Sequence, residues 1–172
     1  MSEFGSFEAF SNDRDAGVDE ERRQNWLVLV AFLLATMGIG GFVGSATPPG
    51  VWYTTLNQPS FTPPNWLFPP VWTALYAMIA IAGWRTWTRD KRGTAMFIWF
   101  AQFAVNLTWS PAFFGLHVME LALAIIIVMV ALTVYFISHV WSKDKAAALL
   151  MVPYLSWISY AMALNGAFIW LN

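Results

Sequence analysis

The side chains able to do acid, base or metal chemistry are few and far apart. Between Ser45 and Arg85 the chain has no charged residue, and from Gly93 to Trp141 it has only Glu120. His117 lies just before Glu120, and His139 lies at the far end of the same apolar run. About 22 residues of helix, at roughly 1.5 Å each, put the two imidazoles some 33 Å apart, too far to share one metal or haem iron in a monomer. There is no cysteine, which excludes disulfides, thiolate nucleophiles and Cys-ligated metals. No acid–base set for ordinary turnover can be assembled, so no catalytic or metal-binding residues are assigned on these grounds. His117 reads as an interfacial loop residue and His139 as a residue at the water-facing end of its helix.

What remains is aromatic and amide chemistry. Residues 52–76 read WYTTLNQPSFTPPNWLFPPVWTALY, with Trp52, Tyr53, Trp66 and Trp72, five prolines and no charge. Proline fixes φ and lowers the entropy lost on ordering. Trp and Tyr offer large amphipathic faces suited to a membrane interface or a flat ligand. This stretch is expected to fold back as a stiff lid. Gln102 and Asn106 stand one helical turn apart inside an apolar run and Trp109 follows. They could bond helix to helix, contact a ligand, or do both. Trp72 and Tyr76 share a helix face, as do Trp157 and Ala161. Aromatic stripes in membrane helices usually serve packing. Here Trp72 and Trp157 are expected to converge near the lid, with Gln102 and Asn106 at compatible depth.

The elements that must hold these residues are membrane spans. Of 172 residues, 58% are hydrophobic and 11% charged, against about 25% charged in soluble domains. Apolar runs at about 26–45, 67–87, 95–114, 119–141 and 146–171 each suit a transmembrane helix. The fold class is therefore an all-α membrane protein, a bundle of five transmembrane helices with a Pro/Trp-rich lid between the first and second. Residues 1–25 are expected to be a disordered acidic tail and 26–172 the transmembrane domain. The tail lacks the pattern of a signal peptide. With five spans, all nine Lys and Arg fall on one side. The positive-inside rule then puts the N-terminus in the cytoplasm, and the lid and C-terminus outside. A net charge of −1 leaves no basic surface for nucleic acid. Gly40 and Gly44 form a Gly-x-x-x-Gly face for close contact within the bundle or between protomers. Pro69 and Pro70 suit a helix start, and Pro111 and Pro153 are expected to bend their spans.

The pattern Trp52-Tyr53-x-x-Leu56-x-x-Pro59, Pro63-Pro64-x-Trp66, Pro70-x-Trp72-x-x-Leu75-Tyr76 resembles the TspO family of translocator proteins, also called peripheral-type benzodiazepine receptors. Gly41-Phe-Val-Gly44-Ser45, Asn106-x-x-Trp109-x-Pro111-x-Phe-Phe-Gly115, Val152-Pro153-Tyr154-Leu155-x-Trp157 and Ala161-x-x-Leu164-Asn165 extend the resemblance over residues 26–172. It implies a homodimeric five-helix bundle that binds porphyrins, haem and hydrophobic drug-like ligands, as sensor, scavenger or carrier in stress response and tetrapyrrole regulation. Porphyrin or haem enters as ligand, with no cofactor required. The family's drug pocket carries over to Trp72, Gln102, Asn106, Trp157 and Ala161, with Trp52 and Trp66 from the lid. Tyr76 and Trp109 join this set as neighbours on the same helix faces. An alternative is light-dependent porphyrin degradation using Trp72 and Trp157, and a second is transport, for which no internal repeat speaks. The last helix, ending Leu164-Asn-Gly-Ala-Phe-Ile-Trp-Leu-Asn172, lacks the Tyr and Arg of the animal sterol motif, so steroid transport is not expected.

Overall fold

The computed structural model describes residues 20–172 with their side chains, and the course of the backbone from residue 3. The expected acidic tail lies for the most part outside the described side chains. Six α-helices follow one another: α1 (Glu3–Ala46), α2 (Val51–Thr55), α3 (Phe68–Arg89), α4 (Thr94–Ser110), α5 (Met119–Val140) and α6 (Lys145–Leu171). Among the described residues, four stretches are long and apolar enough to cross a membrane: Glu20–Ala46, Asn65–Arg89, Met119–Val140 and Lys145–Leu171. The remaining expected span is α4, 17 residues long, continued by a single π-helical turn over Pro111–Gly115. Pro111 thus ends a regular α-helix. Its ring nitrogen has no hydrogen to give the preceding turn, and the backbone widens instead.

The helix ends have local causes. Pro69 and Pro70 occupy the first turn of α3, where a missing N–H leaves nothing unpaired. α6 starts at Asp144, whose carboxylate accepts from the Ala147 N–H at 3.1 Å. The same carboxylate takes Arg85 Nη2 at 2.9 Å and Arg89 Nε at 2.8 Å, both from the end of α3. Asp144 is buried, so this pairing ties the α5–α6 turn to the α3 terminus. Pro153 sits inside α6, which continues through it.

Side by side, the long helices run in the order α1, α3, α6, α5, α4, with α4 also touching α3 and returning to α1. The α3–α4 and α4–α1 seams are the loosest of these. The core is centred on Ile79, Met129, Phe136, Met151, Tyr154 and Ile158, all essentially without exposure. In lipid, close fit rather than escape from water holds such faces together. Gly83 illustrates the fit: a Cβ there would run into Trp99 and Phe32. Trp99 in turn donates its indole N–H to the Ile79 carbonyl at 2.9 Å.

The segment between α1 and α3 lies across one end of the helices. Tyr53 is buried among Phe113, Phe114 and Phe168. Asn57 N–H donates to Asn172 Oδ1 at 2.9 Å, and Asn172 Nδ2 donates back to the Asn57 carbonyl at 3.2 Å. Tyr160 donates its hydroxyl to the Phe61 carbonyl at 2.5 Å.

Candidate functional site

At that end, α1, α3 and α4 do not meet in full. They leave a cavity of about 610 Å³, covered by Pro49, Tyr53 and Asn65 of the connecting segment. The cause is the glycine-rich face of α1. A Cβ on Gly40 would strike the Tyr76 ring, so Gly40 seats α1 against α3. A Cβ on Gly41 or Gly44 would meet nothing within 4 Å, and both residues line the cavity. The Gly-x-x-x-Gly pair is therefore divided: Gly40 makes the helix contact and Gly44 leaves open space.

The opposite walls are aromatic. Trp72 and Tyr76 follow one another along α3, ring centres 5.3 Å apart and planes 30° apart. Phe68 stands at the start of α3, and Asn106, Trp109, Ser110 and Phe114 come from α4 and its π turn. The polar atoms in the wall are engaged with the bundle. Tyr76 donates its hydroxyl to Asn106 Oδ1 at 3.0 Å, and Asn106 Nδ2 donates to the Tyr154 hydroxyl oxygen at 3.0 Å. Trp109 Nε1 donates to Asn165 Oδ1 at 3.4 Å, while Asn165 Nδ2 donates to the Met119 carbonyl at 2.9 Å. Side chains locked by partners behind the wall hold aromatic faces toward the cavity, the arrangement expected of a preformed site for an apolar, planar guest.

Of the residues singled out in the sequence, Trp72, Tyr76, Asn106 and Trp109 come together on this cavity. The others do not line it. Gln102 is fully buried one turn from Asn106, and neither its Nε2 nor its Oε1 has a hydrogen-bond partner. Trp157 lies behind Phe68, edge to face at 5.9 Å, so it backs the wall. Ala161 is half-buried against the helix core. Trp52 stacks on His117, and Trp66 is 70% exposed. The sequence did not single out Phe68, Thr47, Ser110 and Phe114 as lining residues. The glycines of α1 were noted for packing, although their crowding was equally a signal for missing volume.

A bundle of long apolar helices fits an integral, multi-pass membrane protein. Residues 27–171 match the TspO/MBR family. The chain is 43% identical over 158 residues to the tryptophan-rich protein TspO of Archaeoglobus fulgidus, covering 86% of this chain and 99% of that one. It is 36% identical over 141 residues to the tryptophan-rich sensory protein of Cereibacter sphaeroides, covering 82% and 89%. The human translocator protein is 30% identical over 148 residues, covering 81% and 87%. The chain belongs to the TspO/MBR family.

Proposed function

We propose that this protein binds tetrapyrroles, porphyrin or haem, in the cavity beside Trp72 and Tyr76, and acts as a membrane sensor, scavenger or carrier of them. The observation that carries this reading is the cavity itself: about 610 Å³, walled by Phe68, Trp72, Tyr76, Trp109 and Phe114. That volume falls within the usual range for small-molecule sites, and its walls suit a flat, apolar ring. In this reading α4 with its π turn completes a bundle of five membrane-spanning helices, and residues 52–66 form the lid. The protein works as a homodimer, its N-terminus in the cytoplasm and its lid on the outer side. Hydrophobic drug-like molecules compete for the same space.

Each residue has a physical role. Trp72 and Tyr76 offer stacking faces, worth about 0.5–1.5 kcal/mol per aromatic pair beyond area burial. Asn106 fixes the Tyr76 hydroxyl and so the tilt of that ring. Trp157 acts through Phe68 rather than by contact. Protoporphyrin IX titrated into the protein in nanodiscs, followed by tryptophan quenching, tests the reading. Trp72→Leu should weaken binding at least tenfold, a loss of about 1.4 kcal/mol, and Trp157→Leu less. Equal, unchanged affinities in two folded variants would remove the site from this cavity.

A second reading is light-driven breakdown of the bound porphyrin. Trp72 on the cavity wall favours it, since an indole beside an excited ring can exchange an electron with it. Illumination that bleaches protoporphyrin no faster with the protein than in empty nanodiscs would leave binding alone.

A further inference from the structure

α1 is fastened more closely to α3 than to α4. Toward α3, Gly40 lies against the Tyr76 ring and Thr36 donates its hydroxyl to the Tyr76 carbonyl at 3.3 Å. Toward α4, the seam is bridged at two levels. At the inner level the Phe32 ring stands edge-on to Trp99, centroids 5.1 Å apart. At the outer level Thr47 Oγ1 and Ser110 Oγ share a hydrogen bond of 2.6 Å, and Ser110 Oγ also reaches the Thr47 carbonyl at 3.5 Å. Between them Met37, Gly41 and Gly44 of α1 look across the cavity to Asn106, Trp109 and Ser110 of α4. Met37 to Gly44 covers about 10 Å of helix axis at 1.5 Å per residue. No side chain on Gly41 or Gly44 closes that stretch.

The lid is fastened far more firmly. Tyr53 is sunk among three phenylalanines, Trp52 is stacked on His117, and Tyr160 holds Phe61. Asn57 and Asn172 exchange hydrogen bonds in both directions, and Asn57 Nδ2 also donates to the Leu171 carbonyl. Lifting the lid breaks all of these. Parting α1 from α4 at the outer level breaks only the contacts of Ser110 with Thr47, the 2.6 Å hydroxyl pair and a long 3.5 Å hydrogen bond from Ser110 Oγ to the Thr47 carbonyl.

We propose that the cavity loads sideways from the bilayer through the α1–α4 seam, with the Thr47–Ser110 hydrogen bond as its latch and the lid remaining shut. The inference rests on the cavity being the binding site, and it narrows the ligand class. The natural ligand is dissolved in the membrane before it binds: a flat amphiphile whose apolar plane passes the glycine stretch and whose polar edge stays near the Thr47 and Ser110 hydroxyls. A water-soluble ligand arriving over the lid is the wrong class.

The absence of cysteine makes the test clean. Two double variants are placed in nanodiscs, Thr47→Cys with Ser110→Cys across the seam, and Asn57→Cys with Asn172→Cys across the lid. Protoporphyrin IX carried in donor vesicles is the probe, and tryptophan quenching reports uptake. Oxidising the seam pair should slow uptake by about tenfold relative to its reduced form, because the required opening is blocked. Oxidising the lid pair should leave the rate as it was. Ser110→Ala, which removes both hydrogen bonds to Thr47 and cannot be locked, should load faster than the parent protein. Equal rates for the oxidised and reduced seam pair, or slowing by the lid cross-link to the same degree, overturn the route while binding stands. No binding by the reduced proteins or the parent overturns the cavity assignment, and the route with it.

Discussion

The Trp52 indole lies flat on the His117 imidazole, ring centres 4.2 Å apart and planes 20° apart. His117 holds a left-handed backbone, φ 59°, the one positive φ outside glycine among the described residues. The turn between α4 and α5 is thus shaped so that its imidazole supports the segment between α1 and α3. The stack contributes about 0.5–1.5 kcal/mol, and the backbone conformation costs a β-carbon-bearing residue about 1–2 kcal/mol. His117→Ala loses the stack and keeps the strain. His117→Gly loses the stack and relieves the strain. Thermal melts in detergent should therefore rank His117→Ala clearly below the parent and His117→Gly close to it. A glycine variant melting as low as the alanine variant would mean the backbone is not strained.

Asp144 should dominate the acid sensitivity of the opposite end. Burial alone would push its carboxyl up, but the Arg85 hydrogen bonds, the Ala147 N–H and the charges of Arg85 and Arg89 together hold it below its ordinary value. A lowered folded value means the contribution is fully present above the ordinary aspartate value near 3.8 and is lost as pH falls through the depressed one. Asp144→Asn should cost about 2 kcal/mol at neutral pH, less than a fully buried pair because both arginines are partly solvated. The gap in melting temperature between parent and variant should hold steady from pH 7 to about 5 and close below about 4. A gap independent of pH down to 3 would mean that the loss does not come from the charge of Asp144, since asparagine keeps the cap.

Two amides one turn apart should respond in opposite senses. Asn106 bridges Tyr76 and Tyr154, so Asn106→Leu strands both hydroxyls and should destabilise by about 1–3 kcal/mol. Gln102 has no partner for either amide atom, so Gln102→Leu removes a buried polar group that gains nothing. It should raise stability without ligand by about 1 kcal/mol or more. Melts of both variants in the same detergent decide this. A loss of stability in Gln102→Leu would show that its amide has a partner such as a buried water.

The long helices were legible because length and apolarity suffice to place membrane spans, and their ends fell where Pro69, Pro111 and Asp144 put them. Helical register placed Trp72, Trp157, Gln102 and Asn106 at compatible depth, and of these Trp72 and Asn106 line the cavity. It did not give rotation. Trp157 has the right depth and still stands behind Phe68, because which face of α6 meets α3 depends on packing across the bundle. The glycines announced close approach but not which would touch: Gly40 meets a ring and Gly44 meets space. Asp144 and Arg85 are 59 residues apart, and no local pattern announces such a pair. The left-handed His117 is likewise set by the turn it closes, with no glycine or asparagine to mark it.

The most direct test of the account fills the cavity from its empty wall. Gly44→Leu places an isobutyl group where nothing stands within 4 Å of the position of its Cβ, on a helix in which replacing glycine is worth about 0.5–1 kcal/mol in favour of folding. The variant should melt at or above the parent temperature. Its affinity for protoporphyrin IX, measured by tryptophan quenching in nanodiscs, should fall by about tenfold or more, equivalent to at least 1.4 kcal/mol. A variant that melts as predicted and binds protoporphyrin as tightly as the parent would contradict the claim that this cavity is the tetrapyrrole site.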